Sequence, residues 1–159
     1  MMNKFDSSKI IDKKKIKLKC QKYKDNNKKI VFTNGCFDVL HPGHIYYLDK
    51  AKNYGDILIV GINNDESVKR LKGKDRPLNN IYYRMYMLAA LEVVDIIVPF
   101  NEDTPIDLIS KILPSVLLKG GDYKKEDIVG ADLVTSYGGL VSTINFLDGY
   151  SSTSIINKR

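Results

Sequence analysis

The sequence predicts an α/β fold: a doubly wound, parallel, five-stranded sheet with helices on both faces. Two observations carry the prediction. Short, almost wholly apolar runs alternate along the chain with segments of helical spacing, and no internal repeat or low-complexity tract interrupts them. Strands that are apolar on both faces belong to a sheet covered on both sides, and helices between successive strands make that sheet parallel.

The elements follow in order. Residues 1–28 are rich in lysine, and Ile10, Ile11, Ile16 and Leu18 give them a ragged apolar stripe. This segment is expected to be helical and packed on a domain spanning 29–159. Residues 29–34 (KIVFTN) read as the first strand and 43–52 as a helix. Residues 56–63 (DILIVGIN) form the second strand, followed by a basic loop over 63–80. Residues 81–91 have helical spacing, and 94–99 (VDIIVP) form the third strand. Pro105 suits the first turn of a helix reaching Ile112, with Thr104 as its N-cap. Residues 116–119 make a fourth strand, a short helical stretch follows, 140–146 make a fifth strand, and a last helix opens near Ser151. A Rossmann-like sheet of this kind binds ligands beyond the carboxyl ends of its strands, at the topological switch point. The loops at 34–44, 63–80, 119–125 and 147–153 are therefore the places to look for chemistry.

Composition narrows the function. A chain of 159 residues with 43% hydrophobic content builds one core-bearing domain. No apolar run approaches the ~20 residues that span a bilayer, and the first residues lack the apolar block of a signal peptide. Only Cys20 and Cys36 are present, so a disulfide framework is not expected and a reducing cytoplasm is the default. The net charge of +6 owes much to the early lysines. These read as a solvated helix face, because neither RNA-stacking signatures nor zinc-finger spacings accompany them. Neither a nucleic-acid nor a membrane partner is expected.

Both histidines of the chain fall in one short stretch, FTNGCFDVLHPGH, residues 32–44. Asn34-Gly35 lets the chain turn sharply off the first strand, and Gly35 leaves room for a ligand. Pro42 suits the start of a helix, on which His41 and His44, three apart, turn their rings to one side. Gly43 keeps the space between them open. Two imidazoles at a helix N-terminus make a phosphate site, since free N–H groups and the helix dipole attract anions there. Zinc would need a third ligand, from Asp38 or Cys36, and no further His or CxxC supports it. No dedicated metal site is expected.

GCFDVLHPGH resembles the GxFDxxHxGH signature of the nucleotidyltransferase superfamily. The resemblance implies the nucleotidyltransferase fold and a direct attack on the α-phosphorus of a nucleoside triphosphate with loss of pyrophosphate. In that chemistry His41 and His44 stabilise charge on the phosphoryl oxygens, and no enzyme nucleophile is needed. It further implies nucleotide contacts from Thr33, Asn34, Gly35, Cys36, Phe37 and Gly43, and acceptor contacts from Asp38 and Asn63.

More cations are needed for a triphosphate, and SVKRLKGKDRP supplies Lys69, Arg70, Lys72, Lys74 and Arg76, with Gly73 as a hinge. Lys72 is the first choice, because relatives resemble this stretch in LKG. Arg84 stands where the superfamily has an Arg on the β and γ phosphates. Tyr82 and Tyr83 replace the acidic pair that commonly precedes it, so an acidic partner for Arg84 is expected to be missing. Near the end, GYSSTSII brings Ser151, Ser152 and Thr153 to a helix start and is similar to the superfamily's (I/Y)S(S/T)T phosphate element. After the fourth strand come Lys119, Gly120, Gly121 and Asp122. The lysine suits an anion, the glycines suit close backbone approach, and the carboxylate suits hydroxyl or amino groups.

Together TNGCFD, KGGDY, EDIVGADLV and GYSSTSII most resemble the adenylyltransferases that form ADP-heptose from heptose 1-phosphate. The resemblance runs from Lys28 onward. It implies ATP and a sugar 1-phosphate as substrates, with Mg²⁺ bound mainly through the ATP phosphates, and leaves open a homodimer. In many bacteria this unit is fused to a sugar kinase. The length here leads to the expectation that the kinase is a separate protein. A cytidylyltransferase acting on glycerol 3-phosphate is the alternative enzyme, and a nucleotide- or RNA-binding module the alternative from another class.

Overall fold

In the computed structural model, residues 7–121, 123–145, 147 and 155–156 are described. The chain runs α1 (Lys13–Asp25), β1 (Ile30–Gly35), α2 (Pro42–Lys52), β2 (Ile57–Asn63), α3 (Asp65–Lys72), α4 (Ile81–Ala89), β3 (Ile96–Phe100), α5 (Ile106–Ile112), β4 (Val116–Gly120), a 3₁₀ turn (Lys125–Asp127), α6 (Ala131–Ser136) and β5 (Leu140–Ile144). The five strands pair in the order β3-β2-β1-β4-β5, all parallel. The order reverses direction at β1, so the crevice between the exits of β1 and β4 is the switch point.

Alternation along the strands builds two cores. Ile30 and Phe32 of β1 face one side with Ile16 and Cys20 of α1, Leu108, Ile109 and Ile112 of α5, and Ala131 and Val134 of α6. Val31 faces the other side with Tyr47, Leu48 and Ala51 of α2 and Met85, Leu88 and Ala89 of α4. Gly61 lies flat under Phe32, where a Cβ would come within 3.0 Å of that ring.

Four expectations are corrected. The stretch 63–80 is not all loop, because Asp65–Lys72 forms a helix. Asn64 caps it by accepting from the Ser67 amide, Asp65 and Glu66 occupy its first turn, and three basic residues occupy its last. Thr104 is not a cap, since Pro105 holds the N-cap position of α5 with no side-chain cap bond. In the lysine-rich segment Leu18 is 66% exposed, and Ile16 with Cys20 faces the core instead. Ile10 lies before the helix and pairs with Ile97, so the backbone there covers the outer edge of β3. Phe146, expected in the fifth strand, and the last helix start near Ser151 lie outside the described residues. No helix among the described residues is long and apolar enough to cross a membrane.

Candidate active site

β1 ends at Gly35, and the turn that follows is shaped by Phe37. This residue adopts a left-handed backbone (φ 47°) and is almost fully buried. Its ring passes under Gly35, where a Cβ would meet Phe37 Cε2 at 3.0 Å, so any larger residue there would have to push the ring aside. The same ring lies against His44, with centroids 5.3 Å apart. His41 takes the N-cap position of α2 without a side-chain cap bond, and Pro42 follows it. The imidazoles of His41 and His44 lie against each other, tilted by 34° with centroids 3.8 Å apart. The Nδ1 atoms of both are buried with no hydrogen-bond partner among the described residues. Burial, and secondarily the neighbouring His41, pushes His44 down to about 4, and burial lowers His41 as well. Both rings are therefore neutral near pH 7, with ring nitrogens left over for a ligand.

The turn opens onto a cleft of about 730 Å³ at the switch point, a volume in the range of small-molecule sites. Asn34, Gly35, Cys36, Phe37, Asp38 and His44 line its floor; Asn63, Leu71, Lys72 and Arg76 form one wall. Asp103, Thr104 and Pro105 continue that side, and Lys119 with Tyr123 and 127–129 forms the opposite one. Lys72 and Lys119 have no carboxylate partner among the described residues. Burial lowers the Lys119 pKa; Lys72 nearby adds to the drop and Cys36 opposes it. Two cations facing one cleft with no carboxylate counter-ion among the described residues make a site ready for an anion. Burial pushes the Cys36 thiol up, outweighing the surrounding cations.

Several expected residues are sealed away from the cleft or already engaged within the protein. The hydroxyl of Thr33 is sealed under α2 and shares a 2.7 Å hydrogen bond with that of Tyr47, so it does not face the cleft. Gly43 is buried within the first turn of α2. The Gly121 amide (φ 104°) donates to Ile144 O of β5 at 2.9 Å. Asp38 lines the cleft, but its carboxylate is occupied. It accepts from Arg76 Nε at 2.6 Å and from the amides of Leu78 at 3.0 Å and Asn79 at 2.9 Å. Burial alone would raise its pKa; these three donors together hold it below the usual range. Asn63 is 3% exposed and donates to Ser67 Oγ, which in turn donates to Glu102 O. Lys69 pairs with Glu66 at the surface and Arg70 with Asp103, clamping α3 against the segment before α5.

Arg84 is placed furthest from expectation. It is fully buried and turned inward, and donates to Cys36 O, Asn63 O, Asn79 O and Asp65 Oδ1 rather than facing the cleft. An acidic partner is not missing, since Asp65 of α3 supplies it. Asp122, Ser151, Ser152 and Thr153 lie outside the described residues. Sequence reasoning missed Asp103, Tyr123 and Asp127 as cleft residues. Their signal was position, since each lies in the segments that follow β3 and β4.

Fold and cleft define a nucleotidyltransferase: a parallel sheet with an HPGH turn at its switch point. The chain belongs to the cytidylyltransferase-like family, whose model matches residues 32–158. It is 53% identical over 149 residues to the bifunctional protein HldE of Haemophilus ducreyi, covering 94% of this chain and 31% of that protein. To the protein of the same name from Campylobacter jejuni it is 58% identical over 135 residues, covering 85% of this chain and 28% of that one. The chain thus spans roughly a third or less of the curated relatives it matches. A lipopolysaccharide core biosynthesis protein from Thermoplasma volcanium superposes with a TM-score of 0.61 at 28% identity, over 78% of this chain and 99% of that one. Pantoate-beta-alanine ligase from Francisella tularensis shares the fold, with a TM-score of 0.62 at 19% identity, over 94% of this chain and 76% of that one.

Proposed function

We propose that this domain transfers the adenylyl group of ATP to a sugar 1-phosphate, with D-glycero-D-manno-heptose 1-phosphate as the acceptor, giving ADP-heptose and pyrophosphate. The observation that carries the reading is the closely apposed, neutral histidine pair at the mouth of α2, beside a cleft with Lys72 and Lys119 on opposite sides. The choice of acceptor draws on the ADP-heptose-forming motifs TNGCFD, KGGDY and EDIVGADLV and on high identity to HldE proteins.

The chemistry is a displacement. An oxygen of the acceptor phosphate attacks the α-phosphorus of ATP, a new P–O bond forms, and the bond from the α-phosphorus to the bridging oxygen breaks as pyrophosphate leaves. His44, facing the cleft and backed by His41, donates an N–H to the α-phosphoryl oxygens as their charge builds. Lys72 and Lys119 hold the two phosphorylated substrates against mutual repulsion, converting a bimolecular encounter into a positioned one. Asn34 to Phe37 present the turn on which the α-phosphate rests.

Among the described residues, no group of three or more His, Cys, Asp or Glu side chains is arranged to hold a metal ion. Asp38, the carboxylate on the cleft floor, is occupied by Arg76 and two amides. These residues fit an ion that arrives on the triphosphate itself, so Mg²⁺ enters as part of the substrate MgATP, where it neutralises charge on the leaving pyrophosphate. A sugar kinase acting on the anomeric hydroxyl would supply the acceptor.

A pyrophosphate-release screen of ATP and CTP against sugar and alcohol phosphates tests the reading. Fastest turnover is expected with ATP and heptose 1-phosphate. A clear preference for CTP with glycerol 3-phosphate would overturn it and leave the fold intact.

A further inference from the structure

Arg84 heads the fully buried side chains by volume among the described residues. A buried guanidinium is costly unless its donors are satisfied and its charge is paired. Here it donates through Nη1 to Cys36 O at 2.5 Å and Asn63 O at 2.8 Å, through Nε to Asn79 O at 3.0 Å, and through Nη2 to Asp65 Oδ1 at 2.8 Å. These acceptors belong to different pieces of the cleft. Cys36 is in the turn after β1, Asn63 ends β2, Asp65 opens α3, and Asn79 precedes α4. The far end of α3 carries Lys72 into the cleft. Asp38 ties two of these pieces a second time, joining the turn to Arg76, Leu78 and Asn79 before α4.

We propose that Arg84 is a positioning residue for nucleotidyl transfer: with Asp65 it fixes the histidine-bearing turn and the lysine-bearing helix α3 relative to each other, and it does not touch the triphosphate. The proposal rests on the transfer reading above. The fork of the guanidinium matters, because a lysine ammonium cannot reach the two carbonyls, the carboxylate and Asn79 O together. Small displacements of groups flanking a reacting phosphorus have large kinetic effects, about 100-fold for about 1 Å.

The test uses Arg84→Lys, Arg84→Ala, Asp65→Asn and the Asp65→Asn/Arg84→Ala double variant. Each is titrated calorimetrically with ATP and with AMP, and assayed for pyrophosphate release well below its melting temperature. The expected result is a kcat loss of about 100-fold in Arg84→Ala, with ATP and AMP affinities changed by the same factor. Asp65→Asn should lose at least about tenfold in kcat although Arg84 is still present, and the double variant should be no slower than Arg84→Ala alone. A direct triphosphate contact would instead lower ATP affinity at least about tenfold, leave AMP binding intact and give no effect in Asp65→Asn; that pattern overturns the proposal. Unchanged kcat in folded variants overturns it as well, leaving only a brace for stability. If Arg84→Ala does not fold, Arg84→Lys and Asp65→Asn, which keep a cation at the site, carry the same comparison. A wild type that releases no pyrophosphate with any acceptor would sink the transfer reading. The ATP-against-AMP comparison would still decide separately whether Arg84 touches the triphosphate.

Discussion

Acidifying the ligand-free protein from pH 7 to pH 5 should destabilise it, and replacing His44 by Gln should remove most of that loss. The folded pKa of His44 is about 4, against an ordinary 6.5, with burial as the main cause and the His41 ring as the second. Between these values the unfolded chain takes up a proton that the folded protein refuses. The unfolded state binds more protons there, so stability falls as pH falls; above pH 6.5 the group contributes nothing. At about 1.4 kcal/mol per pH unit the ceiling is about 2 kcal/mol at pH 5, and partial exposure of the ring reduces it to about 1 kcal/mol. His41, lowered in the same direction, adds to the slope. Asp38, Glu102 and Asp107 are held below their ordinary values, so their contributions are lost only at lower pH. Urea unfolding at pH 7 and pH 5 in wild type and His44→Gln reads the difference. Identical pH dependence in the two proteins would show that the fold leaves His44 at its ordinary pKa, and a wild type that gains stability on acidification would show it raised; either result would refute the lowered pKa of the buried ring.

Other perturbations separate chemistry from architecture. His44→Ala should lower kcat by about 10²–10³ with little change in melting temperature, as expected for loss of one preorganised donor; near-normal turnover would return His44 to a packing role. Thr33→Val should cost about 1–3 kcal/mol in urea unfolding by stranding the buried Tyr47 hydroxyl, with ATP affinity unchanged; a tenfold loss of ATP binding in a stable variant would place the Thr33 hydroxyl on the nucleotide. Cys36→Ser should keep activity within about tenfold, because direct displacement needs no thiol nucleophile. Trapping a covalent nucleotidyl adduct on wild-type Cys36 would contradict that.

What could be read from the sequence depended on how much apolar pattern each element carries. The strands were visible because Ile57–Asn63 and Val116–Gly120 are buried on both faces and, apart from Asn63 and Lys119, apolar. The helix DESVKRLK was not, since Val68 and Leu71 are its only apolar residues and it buries just Ser67 and Val68. Its one signal was the cap, Asn64 ahead of Asp65 and Glu66. The histidine pair was legible from its spacing, because residues three apart at a helix start can share a side, as the N-cap His41 and His44 do. Arg84 was not, because nothing local tells a helical arginine to point inward. It does so because carbonyls of Cys36, Asn63 and Asn79 and the Asp65 carboxylate converge from remote parts of the chain. Thr33 failed for a related reason: the turn begins one residue later, and pleating directs Thr33 under α2 toward Tyr47.

The most direct measurement follows the fate of individual phosphorus atoms. Wild-type protein is incubated with heptose 1-phosphate and either [α-³²P]ATP or [γ-³²P]ATP, and the products are separated. Adenylyl transfer through the histidine turn places the α label in a nucleotide sugar and the γ label in pyrophosphate. Label from the γ position in the sugar product, or α label that stays in ATP, ADP or AMP while the sugar phosphate is unchanged, would contradict adenylyl transfer at this cleft.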